Sequence, residues 1–332
     1  MKRKLAKLEK TPLQRQAIYQ EQASKNEKLA KLEKTPLQRQ AIYQEQASKN
    51  KKLAKLEKTP LQRQAIYQEH ASKNKKLVKL EKMLLEGKKG KKGKKGEKGG
   101  EMDLAKGALL ASGVETEQEF NRYLPKVDRL CQRIADTLCD LLGKGSDWEK
   151  AEGIFDWLWR AKPHRYEYGG SFRLAEVLDA QLGESDKVGN CLGLTLLYNV
   201  LVQRFGLVVG AAYLEDAFGL GPHLFTVLYT GGRTIDIENI FPHGFDYRGH
   251  RVVLEGDAVG ESKREEWGSR ELIADIYHSV ANEFFASGKW ERAIENYDKA
   301  ITLHPKYTRA YLNKGIALVQ MGRTEEAREW FR

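Results

Sequence analysis

KVGNCLGLTLLYNVLVQRFGL, residues 187–207, carries no charge between Lys187 and Arg204. Gly189 and Asn190 break the preceding chain, and Asn190 is a residue type that caps helix starts. Cys191 then falls in the first turn of a nearly all-apolar helix that ends near Phe205-Gly206. Free N–H groups and a partial positive charge collect at a helix N-terminus, and both favour a thiolate. The same groups suit the oxyanion of a tetrahedral intermediate. The plainer reading is a small cysteine packed in a core, and that reading is the one given to Cys131 and Cys139 inside a helix of core spacing.

Working outward, residues 207–214 (LVVGAAYL) read as a strand, followed by a polar loop and HLFTVLYTGGRTIDIENI. Gly231-Gly232 between two alternating apolar runs signals a two-residue hairpin. With Thr230 and Arg233 flanking the turn, paired residue numbers sum to 463, so Val227 faces Asp236 and Phe225 faces Glu238. Side chains alternate with period two, which puts His223, Asp236 and Glu238 on one face and Asn239 on the other. Glu238 is the diagonal neighbour of His223, ~7–8 Å away between backbones, with Asp236 one step further. Glu238 or Asp236 is therefore the carboxylate expected to orient His223, with Glu238 first.

A cysteine opening a helix, then a histidine and a carboxylate on neighbouring antiparallel strands, resembles the transglutaminase-like superfamily, which shares the papain-type arrangement. The residues that carry the likeness are Gly189-Asn190-Cys191 with the helix behind them, Gly221-Pro222-His223, and Ile235 to Asn239. The resemblance implies an α+β core, helical at its N-terminal side and packed on an antiparallel sheet. It implies Cys191 as nucleophile, His223 as base and later acid, and Glu238 or Asp236 as the group that orients the imidazole. The chemistry implied is hydrolysis of an amide bond or acyl transfer to an amine. The chain departs from many members in having Ile-Glu-Asn where they have an aliphatic residue and then Asp-Pro, and no aromatic oxyanion donor is assignable from the sequence. No cofactor or metal is expected, because no phosphate-loop, dinucleotide or metal-ligand spacing is present; His164, His243 and His250 read as surface or core residues.

Before this segment, Val127, Leu130, Ile134, Leu138 and Leu141 recur at helical spacing. Ser146 and Glu149 form a capping-box pattern ahead of Ala151, Ile154, Phe155 and Leu158. HRYEYGGSF, residues 164–172, reads as a loop. After it, residues 274–307 follow the 34-residue tetratricopeptide (TPR) pattern: Tyr277, Val280, Ala281 and Phe284 on one helix, Ala293, Tyr297 and Ala300 on the next, and Pro305 at the close. A second unit begins at Thr308, with Tyr311, Gly315, Leu318, Ala327 and Phe331 at matching places. One and a half such units cannot close a core of their own, so they are expected to lean on the preceding domain. Their usual partner is a protein or peptide.

The charge is divided along the chain. Residues 1–100 hold 29 Lys+Arg against 10 Asp+Glu, whereas the remaining 232 hold 28 against 36. KLAKLEKTPLQRQAIYQEQASKN begins at Lys4, recurs nearly unchanged at Lys28 and Lys52, and fades from Lys76. This low-apolar, basic arm is read as solvated and partly helical or disordered, with a weak attraction to nucleic acid or an anionic surface. GKKGKKGKKGEKGG, residues 87–100, reads as a flexible linker ahead of Met102. The expected organisation is a repeat arm at 1–86, a linker at 87–101, a transglutaminase-like domain at 102–265 and TPR helices at 270–332. Three cysteines are too few for a disulfide framework. With no transmembrane run and no secretory signal, the expectation is a cytoplasmic protein. Two functions compete: a thiol enzyme, and a non-catalytic TPR adaptor.

Overall fold

The Asn190 carbonyl oxygen of the side chain accepts from the Gly193 N–H at 3.0 Å and starts the central helix at Cys191. In a computed structural model of the chain, the described residues are 75–86, 103–217, 221–247 and 264–330, all within one unit that spans 56–332. The repeats of the arm through residue 74, the linker at 87–101, Met102, His250 and Phe331 lie outside the described residues. In chain order the helices and strands are α1 (Lys75–Glu86), α2 (Leu104–Ala111), α3 (Glu117–Lys144), α4 (Asp147–Ala161), α5 (Leu174–Leu182), α6 (Cys191–Arg204), β1 (Val209–Leu214), β2 (His223–Thr230), β3 (Arg233–Ile237), β4 (Arg264–Trp267), α7 (Ser269–Ala286), α8 (Trp290–Leu303), α9 (Thr308–Gln320) and α10 (Thr324–Trp330). This is a mixed fold: helices around a small antiparallel sheet, then a run of antiparallel helices. No described helix is long and apolar enough to cross a membrane.

Local chemistry sets the helix starts. Thr116 with Glu119, and Ser146 with Glu149, form reciprocal capping boxes at α3 and α4, which satisfy backbone N–H groups that the first turn leaves free. On α3 the expected apolar face holds at Val127, Leu130 and Ile134, which are buried. It weakens beyond a break at Leu138 (φ −115°, ψ 24°), so Leu138 and Leu141 are only half-buried. The core-helix reading of the cysteines needs correction at the same place: Cys131 is half-buried, but Cys139 is exposed.

The sheet order is β3-β2-β1-β4, all pairs antiparallel. The hairpin register has Thr230 opposite Arg233 and Val227 opposite Asp236. Gly231 and Gly232 take φ of 55° and 73°, the left-handed region that a two-residue turn of this kind requires at both positions. The fourth strand, β4, was not expected from the sequence; it pairs Leu214 with Arg264 and Ala211 with Trp267.

One face of the sheet lies on α6, and the contact is partly polar. Thr226 Oγ1 donates to Asn199 Oδ1 at 2.6 Å, Asn199 Nδ2 to the Gly210 carbonyl at 2.9 Å, and Asn239 Nδ2 to Thr226 Oγ1 at 2.9 Å. All three side chains are buried. Unlike an apolar contact, this seam fixes the sliding register between α6 and β2, because each buried group costs free energy if its partner moves away. The other face carries a smaller apolar cluster of Ala212, Leu214, Ala217, Phe225 and Val227.

The main core runs without interruption from α1 to the start of α9, and takes in Leu272, Ile276, Tyr277 and Val280 of α7. Tyr213 of β1 stacks on Trp267 of β4, with centroids 4.1 Å apart, and Trp267 in turn meets Tyr307 and His304 edge-on at 5.5 and 5.6 Å. Through this aromatic joint the C-terminal helices lean on the sheet. Their own cluster comprises Ala281, Ala293, Ile294, Tyr297, Ala317, Leu318 and Ala327.

One expectation about the arm is overturned. Residues 75–86 are not a solvated extension: Leu77 and Leu84 are buried in the main core. Glu81 of the same helix accepts from Tyr277 Oη at 2.7 Å and Lys299 Nζ at 2.8 Å. The fading of the repeat explains this. The Thr-Pro that punctuates each earlier copy is replaced by Met83-Leu84, so the helix continues and gains an apolar side chain to bury.

Candidate functional site

Cys191 is the first residue of α6 and is half-buried. Its position depends on a close backbone approach. The Asn190 N–H donates to the Ser171 carbonyl at 3.1 Å, and that same carbonyl would lie 2.3 Å from a Cβ at Gly193. Only a residue without a side chain lets the 171–172 backbone press against the first turn. The loop beside it is held by Tyr166, which bridges Gly189 in parallel, and by the Glu167 N–H, which donates to Gly189 at 3.0 Å.

His223 opens β2 and faces this helix start. Its Nε2 lies 2.6 Å from Glu238 Oε2, and the imidazole also shares a hydrogen bond with Cys191. With Nε2 taken by Glu238, Nδ1 is the ring nitrogen left for the thiol. Burial disfavours the charged imidazole, but the Glu238 carboxylate and the hydrogen bonds that the ring shares with Cys191 and Glu238 outweigh it, and the pKa is raised to about 10. The Glu238 side chain is 1% exposed. Its Oε1 accepts from the Ile240 N–H at 3.3 Å, and its own N–H donates to the Gly244 carbonyl at 2.8 Å.

Asp236 shares the face but is engaged elsewhere. Arg264 Nη1 and Nη2 donate to its Oδ2 and Oδ1 at 2.8 and 3.0 Å, a bidentate pair. By register Arg264 lies in a row with Leu214 and His223, at the opposite edge of the sheet from β3. Its guanidinium passes over the Phe225 ring, 5.4 Å from the centroid, to reach Asp236. The structure thus brings Cys191, His223 and Glu238 together and turns Asp236 to Arg264. Asn239, on the other face, belongs to the polar seam.

The sequence did not single out Tyr166. Burial, then the neighbouring Cys191 and Glu238, push its hydroxyl pKa well up, so it stays an O–H donor in the physiological range. The signal available was an aromatic residue in the 164–172 loop; what was missing was the bridge to Gly189 that sets it beside the thiol. His164 and His243 are exposed. His278 is buried between helices, where its Nε2 lies 3.0 Å from Asn313 Nδ2 and its Nδ1 3.3 Å from Tyr307 Oη. No group of three or more metal-ligating side chains occurs among the described residues.

The C-terminal helices carry the second functional signal. Residues 281–331 match the family model described as a TPR repeat, which makes this a TPR-containing protein and supports a role in protein interaction. A relative, the uncharacterized protein MJ0572 of Methanocaldococcus jannaschii, is 45% identical over 58 residues, 18% of this chain and 67% of that protein. The chain belongs to the same family as that protein. No solved structure matches the chain.

Proposed function

We propose that this protein is a thiol enzyme of the transglutaminase-like type, acting on an amide bond, with its TPR helices holding a protein or peptide. The observation that carries the proposal is the single imidazole of His223, bonded at 2.6 Å to a buried Glu238 and sharing a hydrogen bond with Cys191 at a helix start. A raised imidazole pKa favours the thiolate–imidazolium pair that such chemistry needs. The Cys191 sulfur attacks the amide carbonyl carbon, and the oxyanion that forms is met by first-turn N–H groups of α6 and by the Tyr166 hydroxyl. The C–N bond breaks as the imidazolium gives its proton to the leaving amine, which leaves a thioester on Cys191. Water, or an acceptor amine, then attacks the thioester and passes a proton to His223; the C–S bond breaks and the thiolate returns. Glu238 holds the ring throughout, and Asp236, tied to Arg264, serves the sheet.

On this reading the thiol domain occupies 102–265 and the TPR helices 270–332, with the linker at 87–101 and the repeat arm before it. A thiol-directed amide-analogue probe, mapped by mass spectrometry, tests the proposal. Cys191 is expected to label far faster than Cys139, which is exposed, and Cys131, whose thiol burial pushes up to about 11. Cys191→Ala abolishes the labelling, and His223→Ala slows it by roughly 10²-fold or more, the range of a lost general base. Equal labelling of the three cysteines would refute the enzyme reading. It would leave the adaptor reading, with the protein-interaction role that the TPR match at 281–331 supports under either reading.

A further inference from the structure

Arg165 is a buried guanidinium, 3% exposed, whose Nε and Nη2 have no hydrogen-bond partner among the described residues. No acidic side chain among the described residues neutralises it: the contact on its charge is the Trp159 ring, with the guanidinium carbon 5.7 Å from the centroid. The Trp159 indole Nε1, also buried, is likewise unpartnered. Burial lowers the Arg165 pKa to about 9, so the group remains charged at neutral pH. An unpaired buried charge is among the most expensive features a fold can contain, costing several kcal/mol. Native interiors leave few such groups without a partner.

The identity of the two free atoms is informative. Nε–H and Nη2–H lie parallel on one edge of the guanidinium plane, the edge that grips two oxygens of a carboxylate or phosphate at once. Side chains alternate along the extended segment 165–166, so with Tyr166 turned toward Cys191, Arg165 points to the opposite side, toward α4. The Arg165 backbone carbonyl meanwhile accepts the N–H groups of Val188 and Gly189, at 2.8 and 3.2 Å. These are the residues just before Asn190 and Cys191.

We infer that the free edge of Arg165, beside Trp159, is a binding site for a small oxyanion or for the carboxylate or phosphate group of a ligand. The site lies behind the strand pairing that presents Cys191, on the side away from the thiol. It does not depend on Cys191 being catalytic.

Thermal and urea unfolding of the full-length chain test it, in chloride and with formate, acetate or inorganic phosphate replacing chloride at constant ionic strength. The wild type is expected to gain stability with the logarithm of anion concentration above Kd, the unfolding constant falling roughly 100-fold at an anion concentration of 100 Kd. Such a gain with formate and acetate assigns the site to carboxylates, and with phosphate to phosphoryl groups; either supports it. Arg165→Met is expected to be at least as stable as wild type in chloride, since it removes an uncompensated charge, and to gain nothing from the anions. Arg165→Lys keeps the charge but loses the two-pronged edge, and binds at least tenfold more weakly. A wild type that responds to none of these anions beyond chloride overturns the inference, whatever the variants do. So does an Arg165→Met chain that responds as the wild type does.

Discussion

At the scale of the residue, the His223–Glu238 pair makes stability depend on pH in a defined direction. The folded pKa of His223 is raised from 6.5 to about 10. The folded state therefore binds a proton more tightly than the unfolded state, and the pair's contribution is full below 6.5 and lost as pH rises through about 10. Glu238→Gln is expected to lower the melting temperature most near pH 6 and least near pH 10, with the difference shrinking steadily between. A gap that widens with pH would show that the imidazole is neutral in the fold. Asp236→Asn is expected to behave differently, because it releases Arg264 and leaves His223 in place; its cost should be nearly flat over the same range. The choice between these carboxylates was legible in the hairpin register, since two glycines and period-two alternation suffice to place Glu238 beside His223. The partner of Asp236 was not legible. Arg264 comes from a strand 28 residues on, and nothing local in its sequence states which edge of the sheet it joins.

At the scale of the element, α6 is positioned by its first turn and by the seam along its side. Gly193 tests the first. A Cβ there would stand 2.3 Å from the Ser171 carbonyl oxygen and 3.2 Å from the Phe172 Cα, both backbone. Gly193→Ala is thus expected to destabilise the protein by about 1–3 kcal/mol, as overpacking does, and to slow probe labelling of Cys191. Gly143, in α3 with nothing within 4 Å of its would-be Cβ, provides the contrast: Gly143→Ala should stabilise by up to about 1 kcal/mol. Urea denaturation of both variants checks the pair. The sequence announced α6 clearly, through Asn190, Cys191 and an apolar run closed by Gly206. It did not announce that Thr195, Asn199, Thr226 and Asn239 would meet, because a buried polar seam looks from the sequence like scattered polar residues in apolar elements.

At the scale of the whole molecule, α1 and one side of the TPR helices share the main core, beside the cluster those helices form among themselves. TPR periodicity was legible from Tyr277, Ala281, Ala293 and Tyr297, as were the two helix pairs. The docking of α1 was not, since Leu77 and Leu84 sit at the end of a basic repeat whose composition reads as solvated. Deleting residues 1–74, which leaves α1 in place, is expected to change stability by no more than about 0.5 kcal/mol. Deleting 1–86 removes two buried leucines and should cost more than about 2 kcal/mol, with a matching drop in melting temperature. Equal melting of the two truncations would show that α1 contributes nothing. The link from Glu81 to Tyr277 and Lys299 spans 196 and 218 residues of sequence. During synthesis, Glu81 therefore leaves the ribosome long before its partners on α7 and α8 exist, and at about 5–20 residues per second the wait is on the order of ten seconds or more. The ties from α1 to α7 and α8 thus form only after both of those helices have emerged, which makes them late contacts whatever packing α1 gains before.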